Sequence, residues 1–376
     1  KRRYLIDDTH VDGFKTDGGE FILDDDLLFH NGKTGREMRN LYTPLYLEAF
    51  QRFAGPDRVL FSRAGYTGAQ GHSLYWAGDQ ASTYAQMRSI LRGGLSLALC
   101  ANPYWGFDIA GFARDMPGAE LYIRSAQMAA FSPLMQYHSE PAGGFFGGGE
   151  RENNDRTPWR IAEYTGDARV LPLFRYLVNL RMNLLPYIYR EAVYYHEADA
   201  PMMRPLLMDY PDDPAVYDID DQYLFGREML VAPVLTEDAE GRDVYLPAGR
   251  WIDFFTHKEY EGGQSIHYAC SLDTFPVFVR SGAVIPMNLN HAFETGGSIG
   301  NDLTRYQRLT FWVTDMAGLP YDFTDERGNA VHIRYEDGRI TTAMEGPAGE
   351  AYVMTDGSLD AGGEKIGPHL WRFSTK

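Results

Sequence analysis

An α/β fold that gives way to antiparallel β-sandwiches is the architecture the sequence predicts, and two observations carry it. Through about residue 197, short apolar runs alternate with longer segments of helical period; beyond it, only short runs punctuated by Gly, Pro and Asp remain. A third observation locates the chemistry. Polar and aromatic residues gather where the apolar runs end, and the C-terminal ends of strands are where parallel sheets and barrels keep their sites.

The elements follow in order. Val11 to Thr16 reads as a strand, and "TPLYLEAFQRFAG" (43–55) as a helix, with Thr43 as its cap, Pro44 at its first position and Leu41, Leu45, Ala49 and Phe53 recurring every fourth residue. "DRVLFSRAG" and "HSLYWAGDQ" read as the next two strands. A helix is expected over 82–99, with Met87, Ile90, Leu91, Leu95 and Ala98 on one face, then "NPYWGFDIAGF", a helix over 120–130, and "SPLMQYHSEP". Residues 141–160, rich in Gly and polar residues, read as a long loop over a site. A helical stretch over 167–196 should bend or break near Pro172 and Pro186. From "GRDVYLPAGRWIDFF" onward the period is that of strands, which predicts one or two antiparallel sandwiches.

Composition narrows the function. Of 376 residues, 44% are hydrophobic and 14% aromatic, a profile that supports a buried core; length favours more than one domain. A formal net charge of −17 disfavours a nucleic-acid partner, which needs a basic footprint, but is no obstacle to a neutral ligand such as a sugar. No apolar run is long enough to span a membrane, and "KRRYLIDD" lacks the apolar core of a signal peptide. Cys100 and Cys270 are too few for a disulfide framework; one pairing between them stays open, and with it the choice of compartment, bacterial cytoplasm or periplasm. No G-x-G-x-x-G or G-x-x-x-x-G-K-[ST] follows a strand, which argues against a dehydrogenase or nucleotide-binding protein.

Two strand ends carry a carboxylate in a glycine-flanked turn: Asp17 in "KTDGGE" and Asp79 in "WAGDQ". They lie about two βα units apart, so a parallel barrel would turn both toward one cleft. Paired carboxylates across a glycosidic bond are what sugar hydrolysis requires. A single Asp before Gly is most often a turn or helix-cap residue, and Asp24, Asp25 and Asp26, like Asp7 and Asp8, read as solvated charge runs rather than a metal site. What distinguishes Asp17 and Asp79 is their company. Arg63 ends the strand between them with a forked donor set; Trp76, Tyr104, Trp105 and Phe107 offer faces for a pyranose ring; Asp108 and His138 stand at later strand ends; Glu20 follows Asp17.

"GFKTDGGE", "FSRAGYTGAQGHSLYWAGDQ", "GFDIAGF" and "MQYHSEP", in that order, resemble the successive barrel-strand signatures of glycoside hydrolase family 31. "PLLMDYPDDPAVYDIDDQYLFGREMLVAPVL" is similar to the segment that leads from that family's barrel into its β-sandwich. The resemblance covers the chain to about Pro286 and is looser beyond. It implies the C-terminal part of a (β/α)8 TIM barrel over 1–197 (strands 4 to 8), a proximal C-terminal β-sandwich over 198–290 and a distal β domain over 291–376. It also implies a retaining α-glycosidase that releases a terminal glucose or xylose from oligosaccharides, without cofactor or metal. Asp17 would be the nucleophile and Asp79 the general acid/base; Arg63, Trp76, Asp108 and His138 would line the subsite of the attacked sugar, with Trp105 and Phe107 in its wall. "FKTD" resembles the α-xylosidase-like and related bacterial branches of the family more than the "DMNE" form of many α-glucosidases. A transglycosylase, another α-glycosidase such as an α-galactosidase, and a silent carbohydrate-binding relative are the alternatives. Because the resemblance starts at the fourth barrel strand, the earlier strands are expected from a missing segment, on a separate chain or a longer one, to cover an otherwise open sheet edge.

Overall fold

The computed structural model describes residues 2–112, 115–139, 154–301, 306–346, 349–356 and 359–374. A short helix, α1 (Tyr4–Asp7), leads into four parallel strands in sequential order, β1 (Gly13–Thr16), β2 (Val59–Ser62), β3 (Leu74–Trp76) and β4 (Trp105–Gly106). A parallel bridge between Asp108 and Gln136 extends the arc by one more chain segment. The arc is the C-terminal part of a TIM barrel and does not close.

Helices α2 (Gly35–Ala54), α3 (Tyr84–Leu99) and α4 (Ala119–Ala130) cover one face of this sheet. Helix α2 starts eight residues before the Thr43 cap that its sequence suggests. A capping box at Thr34 and Glu37 nucleates it, with Thr34 N–H donating to Glu37 Oε2 at 2.8 Å, so Pro44 falls inside the helix. Freed from capping, the Thr43 hydroxyl donates instead to Gly19 O, 2.8 Å away, and ties the helix to the turn after β1. Thr83 caps α3, whose Met87, Leu91, Leu95 and Ala98 are buried, with Ile90 partly so. The face legible in the sequence is the one that packs.

Of the loop expected over 141–160, residues 141–153 lie outside the described residues; from Pro158 the chain is helical, α5 (Pro158–Thr165). The long helical stretch is two helices, α6 (Val170–Asn183) and α7 (Leu185–Glu197). They join at Leu184, and Pro186 sits in the first turn of α7, where its missing N–H deprives the helix of nothing. Pro172 occupies the first turn of α6 for the same reason.

Beyond Glu197 the regular structure is almost all strand. Strands β5 (Met203–Pro205), β6 (Tyr223–Phe225), β7 (Met229–Val231), β9 (Arg250–Asp253), β10 (Glu259–Glu261) and β12 (Val277–Arg280) form one sheet, and β8 (Gly241–Leu246) pairs with β11 (Gln264–Ala269). The next strand, β13 (Val284–Asn288), pairs with β14 (Leu309–Val313) in a second sheet completed by β18 (Glu350–Thr355), β19 (Glu364–Gly367) and β20 (Leu370–Ser374). Strands β15 (Tyr321–Thr324), β16 (Ala330–Glu336) and β17 (Arg339–Glu345) form a three-stranded sheet against it. Phe311, Val313, Phe323, Val331, Ile333 and Val353 close that distal core. Both cysteines are free thiols, Cys100 exposed and Cys270 buried.

The larger core is continuous from the helix layer into the first β sheet. Every residue of α4 from Leu121 to Ala130 is buried. At its end the Phe131 ring meets Phe225, Phe254 and Phe275 edge-on at 6.4, 5.9 and 5.8 Å. Polar contacts fix the same seam. Arg124 Nη1 donates to Thr274 O at 3.0 Å, Gln127 Nε2 to Leu272 O at 2.8 Å, and fully buried Glu191 accepts from Arg227 N at 2.8 Å while pairing with its Nη2 at 2.7 Å. Phe131→Ala should remove about 3–5 kcal/mol of stability, measured as a lower urea midpoint with unchanged slope.

Candidate functional site

Strand register decides which side chains can meet. Lys15 is opposite Phe61, Phe61 opposite Leu74, and Trp76 opposite Gly106. Paired residues of a sheet share a face, and alternation returns to it every second residue. Phe14 packs on Phe53 of α2, with ring centroids 5.6 Å apart, so Lys15, Phe61 and Trp76 occupy the face that the helices leave free. There the Phe61 and Trp76 rings lie 5.1 Å apart, and Lys15 Nζ stands 4.2 Å from the centre of the Trp76 ring.

Asp17 follows that pattern out of its strand, whereas Asp79, three residues past Trp76, is placed by the turn beyond the strand end. Asp17 sits at the end of β1, just before Gly18 and Gly19, whose φ angles of 78° and 93° are open to glycine at no steric cost. A Cβ on Gly19 would stand 2.8 Å from Tyr46 Cδ1, so the turn is also held close against α2, where the Tyr46 hydroxyl donates to Asp17 O at 2.7 Å. Asp79 follows Gly78, with φ 81°. Between them Arg63, at the end of β2, joins the cluster: its Nη1 is 2.8 Å from Asp17 Oδ1 and 3.8 Å from Asp79 Oδ2, and its Nη2 is 2.6 Å from Glu20 Oε1. One nitrogen thus touches both carboxylates. The two oxygens are therefore no more than about 6.6 Å apart, which reaches only the near limit of the about 6.5–9.5 Å of inverting glycosidase pairs.

Asp108 lies beneath this cluster and is 1% exposed. Gln80 Nε2 donates to its backbone carbonyl at 2.8 Å, yet neither carboxylate oxygen has a hydrogen-bond partner among the described residues. Burial pushes its carboxyl up to about 6; the charges of Lys15 and His138 oppose the rise, and Asp79 adds to it. His138 packs edge-on against Phe112 at 4.3 Å. Behind the strand ends, fully buried Arg156 gathers the loops, donating to Asn154 Oδ1 at 2.7 Å, to Ala110 O at 3.4 Å and to Asp115 O at 3.2 Å. Burial lowers this guanidinium to about 10.

The structure therefore brings together Asp17, Glu20, Arg63, Trp76, Asp79, Asp108 and His138. Trp105, Phe107 and Tyr104 pack on the helix side, and Trp105 borders, with Trp76 and Asp79, a cavity of about 400 Å³. Trp105 is opposite Tyr75 in register and faces α3: a Cβ on Gly94 would fall 1.8 Å from its indole. Phe107 lies two residues on, its ring 6.3 Å from that of Trp105, and the Tyr104 hydroxyl donates to Ala192 O in α7. These three are packing residues of the helix side. Lys15 and Arg156 are the ones that reading by motif passed over. Lys15 was signalled by its place two residues before Asp17, hence on the same face. A cavity of about 530 Å³ lies at the opposite ends of the strands, lined by Val59, Leu74 and Tyr104, away from Asp17, Asp79 and Asp108.

Comparison with known proteins agrees with this architecture. Residues 1–191 match the glycosyl hydrolases family 31 TIM-barrel domain, and residues 199–285 the glycosyl hydrolase family 31 C-terminal domain. The chain is 42% identical over 334 residues to an isomaltosyltransferase of Sporosarcina globispora, covering 88% of this chain and 30% of that protein. It is 46% identical over 284 residues to a 1,3-alpha-isomaltosidase of Kribbella flavida, covering 75% and 38%. Among solved structures, the cycloalternan-forming enzyme from Listeria monocytogenes in complex with pentasaccharide substrate superposes with a TM-score of 0.85 at 39% identity, over 94% of this chain and 34% of that one. The cycloalternan-degrading enzyme from Trueperella pyogenes in complex with covalent intermediate superposes with a TM-score of 0.70 at 41% identity, over 75% and 38%. The chain spans about a third of the length of these relatives. With both domain matches in sequence order and such identities across most of its length, the chain belongs to glycosyl hydrolase family 31, the α-glycosidases and transglycosylases.

Proposed function

We propose that the protein of which this chain is part is a retaining α-glucan enzyme that cleaves or transfers isomaltosyl units by double displacement. The observation that carries the reading is the shared Arg63 nitrogen, which holds Asp17 and Asp79 within one guanidinium of each other. Two carboxylates gathered on one arginine suit a nucleophile and an acid/base that serve one anomeric carbon. A relative captured with a covalent intermediate supports the same class of mechanism.

In this reading Asp17 attacks the anomeric carbon as Asp79 protonates the departing oxygen; Asp79, then ionised, takes the proton of water or an acceptor hydroxyl, which displaces Asp17 and restores the α configuration. Arg63 orients the Asp17 carboxylate through their 2.8 Å ion pair, a contact that weakens as the attacking oxygen loses its charge to the new bond with carbon. Asp108, without donors of its own, offers acceptor oxygens to sugar hydroxyls, and Trp76 backs the ring. Identity supports glucan over xylose as the substrate class: 42% and 46% to the isomaltosyl enzymes against 35% and 31% to α-xylosidases.

Three outcomes are expected of the full-length protein. Asp17→Ala should lower kcat on α-linked isomaltosyl oligosaccharides by about 10⁴-fold or more, assayed by released sugar; activity retained within tenfold would exclude Asp17 as nucleophile. Asp79→Ala should keep turnover of substrates with good leaving groups and be rescued by azide, giving an α-glycosyl azide detectable by mass spectrometry; absence of rescue would count against its acid/base role. The raised carboxyl of Asp108 means that the native state holds a proton the unfolded chain releases between about pH 4 and pH 6. Stability should therefore fall as pH rises through that window and level off above it. Asp108→Asn should flatten that slope in Tm measured against pH; an unchanged slope would contradict the assignment.

A further inference from the structure

The turn after β1 presents Phe21 outward, as it does Leu23 beyond it, while fixing the residues on both sides of Phe21. Glu20 is held by Arg63, with Nε donating to Oε1 at 2.8 Å, and Ile22 is buried, its N–H bonded to Glu20 O at 2.9 Å. Arg39 of α2 donates to Ile22 O at 2.9 Å and to Leu23 O at 3.3 Å, and Thr43 secures Gly19 O. Phe21, between these anchors, is 64% exposed. Its ring covers Gly18, whose hypothetical Cβ would lie 3.7 Å from Phe21 Cε2, and stands 5.3 Å from the Arg63 guanidinium carbon. One ring face thus rests toward the cation that bridges the two acids, and a large aromatic is held in water beside them at a hydrophobic cost that nothing else in the described residues offsets.

From this geometry we infer that Phe21 is the stacking platform for the acceptor and leaving-group sugar, and so sets the partition between transfer and hydrolysis. The inference rests on the double-displacement reading above. The donor sugar belongs on the helix-free face, among Lys15, Trp76 and Asp108, below the carboxylates. Phe21 rises from the turn above them, on the side from which an acceptor must come. The C–H bonds on one face of a pyranose carry the positive edge that an aromatic face attracts, and the rigid turn spares the ordering cost. In the transfer step the acceptor oxygen bonds to the anomeric carbon as the bond to Asp17 breaks, the electron pair returning to Asp17. The acceptor proton passes to Asp79. A sugar seated on Phe21 would hold its hydroxyl at that carbon and displace the water that otherwise completes the reaction.

The test compares two donors on full-length wild type, Phe21→Ala and Phe21→Tyr. One donor is α-isomaltosyl fluoride, whose leaving group has no ring to stack; the other is an isomaltosyl oligosaccharide, with added glucan oligosaccharide as acceptor. Phe21→Ala should raise acceptor KM about tenfold and lower the transfer-to-hydrolysis ratio about as much, a loss at least fivefold greater than any on the fluoride, and Phe21→Tyr should restore it. Equal losses on both donors would overturn the proposal and assign the ring to support of Arg63. Unchanged kinetics with both would overturn it as well, the ring then serving contacts with other parts of the polypeptide. Wild type that turns over neither donor would sink the double-displacement reading itself, an outcome distinct from both.

Discussion

Burial of helix α4 on all sides is the constraint from which the rest of this structure follows. A helix buried around its whole circumference, with Arg124, Ser125 and Gln127 among its buried residues, has to be enclosed and its polar groups satisfied, and the arc of parallel strands covers only part of it. Helices α5 and α6 and the first β sheet together enclose the remainder. Phe131 enters a nest of three phenylalanines from that sheet, and Arg124 and Gln127 reach from inside the helix layer to satisfy the carbonyls of Thr274 and Leu272. Buried polar groups of this kind are costly when unmade, so they fix one seating of helix on sheet where apolar contact alone would allow several. The strand ends, and the acids on them, inherit that placement.

Division of labour between the two faces of the arc is the second consequence. The helix side holds Phe14, Tyr75, Trp105 and Phe107; the free side holds Lys15, Phe61 and Trp76, with Asp17, Arg63, Asp79 and Asp108 at or beyond the strand ends. Arg63 draws carboxylates together that would otherwise repel, and Asp108 remains buried without donors, a state with a real electrostatic cost reflected in its raised carboxyl. Local conflict of this sort is the mark of a surface shaped for a ligand rather than for stability.

What was legible in the sequence was local. Glycines flanking Asp17 and Asp79 announce turns that only glycine makes readily, and the four-residue spacing in α3 names its buried face. The start of α2 was misplaced because Thr43–Pro44 imitates a helix beginning, while the stronger Thr34–Glu37 box lay upstream in a run that looks like loop. Trp105 and Phe107 sit among site residues in the sequence, and only strand alternation sends them to the other face. Arg156 could not be read at all: its partners at Asn154, Ala110 and Asp115 converge through tertiary folding.

Strand β13 belongs by pairing to the second sheet, yet it lies against α7, and Asn183 of α6 reaches across to donate to Asn288 O at 2.9 Å and to Gly297 O at 3.1 Å. For recombination between homologous genes, these contacts make the junction near residue 198 a costly place to cross over. A crossover there would set one parent's Glu191 and Phe131 against the other's Arg227 and Phe225, and one parent's Asn183 against the other's Asn288. Inheritance should favour the whole block from β1 through β13 travelling together. Variation is then channelled into turns such as the one bearing Phe21 and into the outer strands of the distal sheets, where an exchange disturbs neither seam.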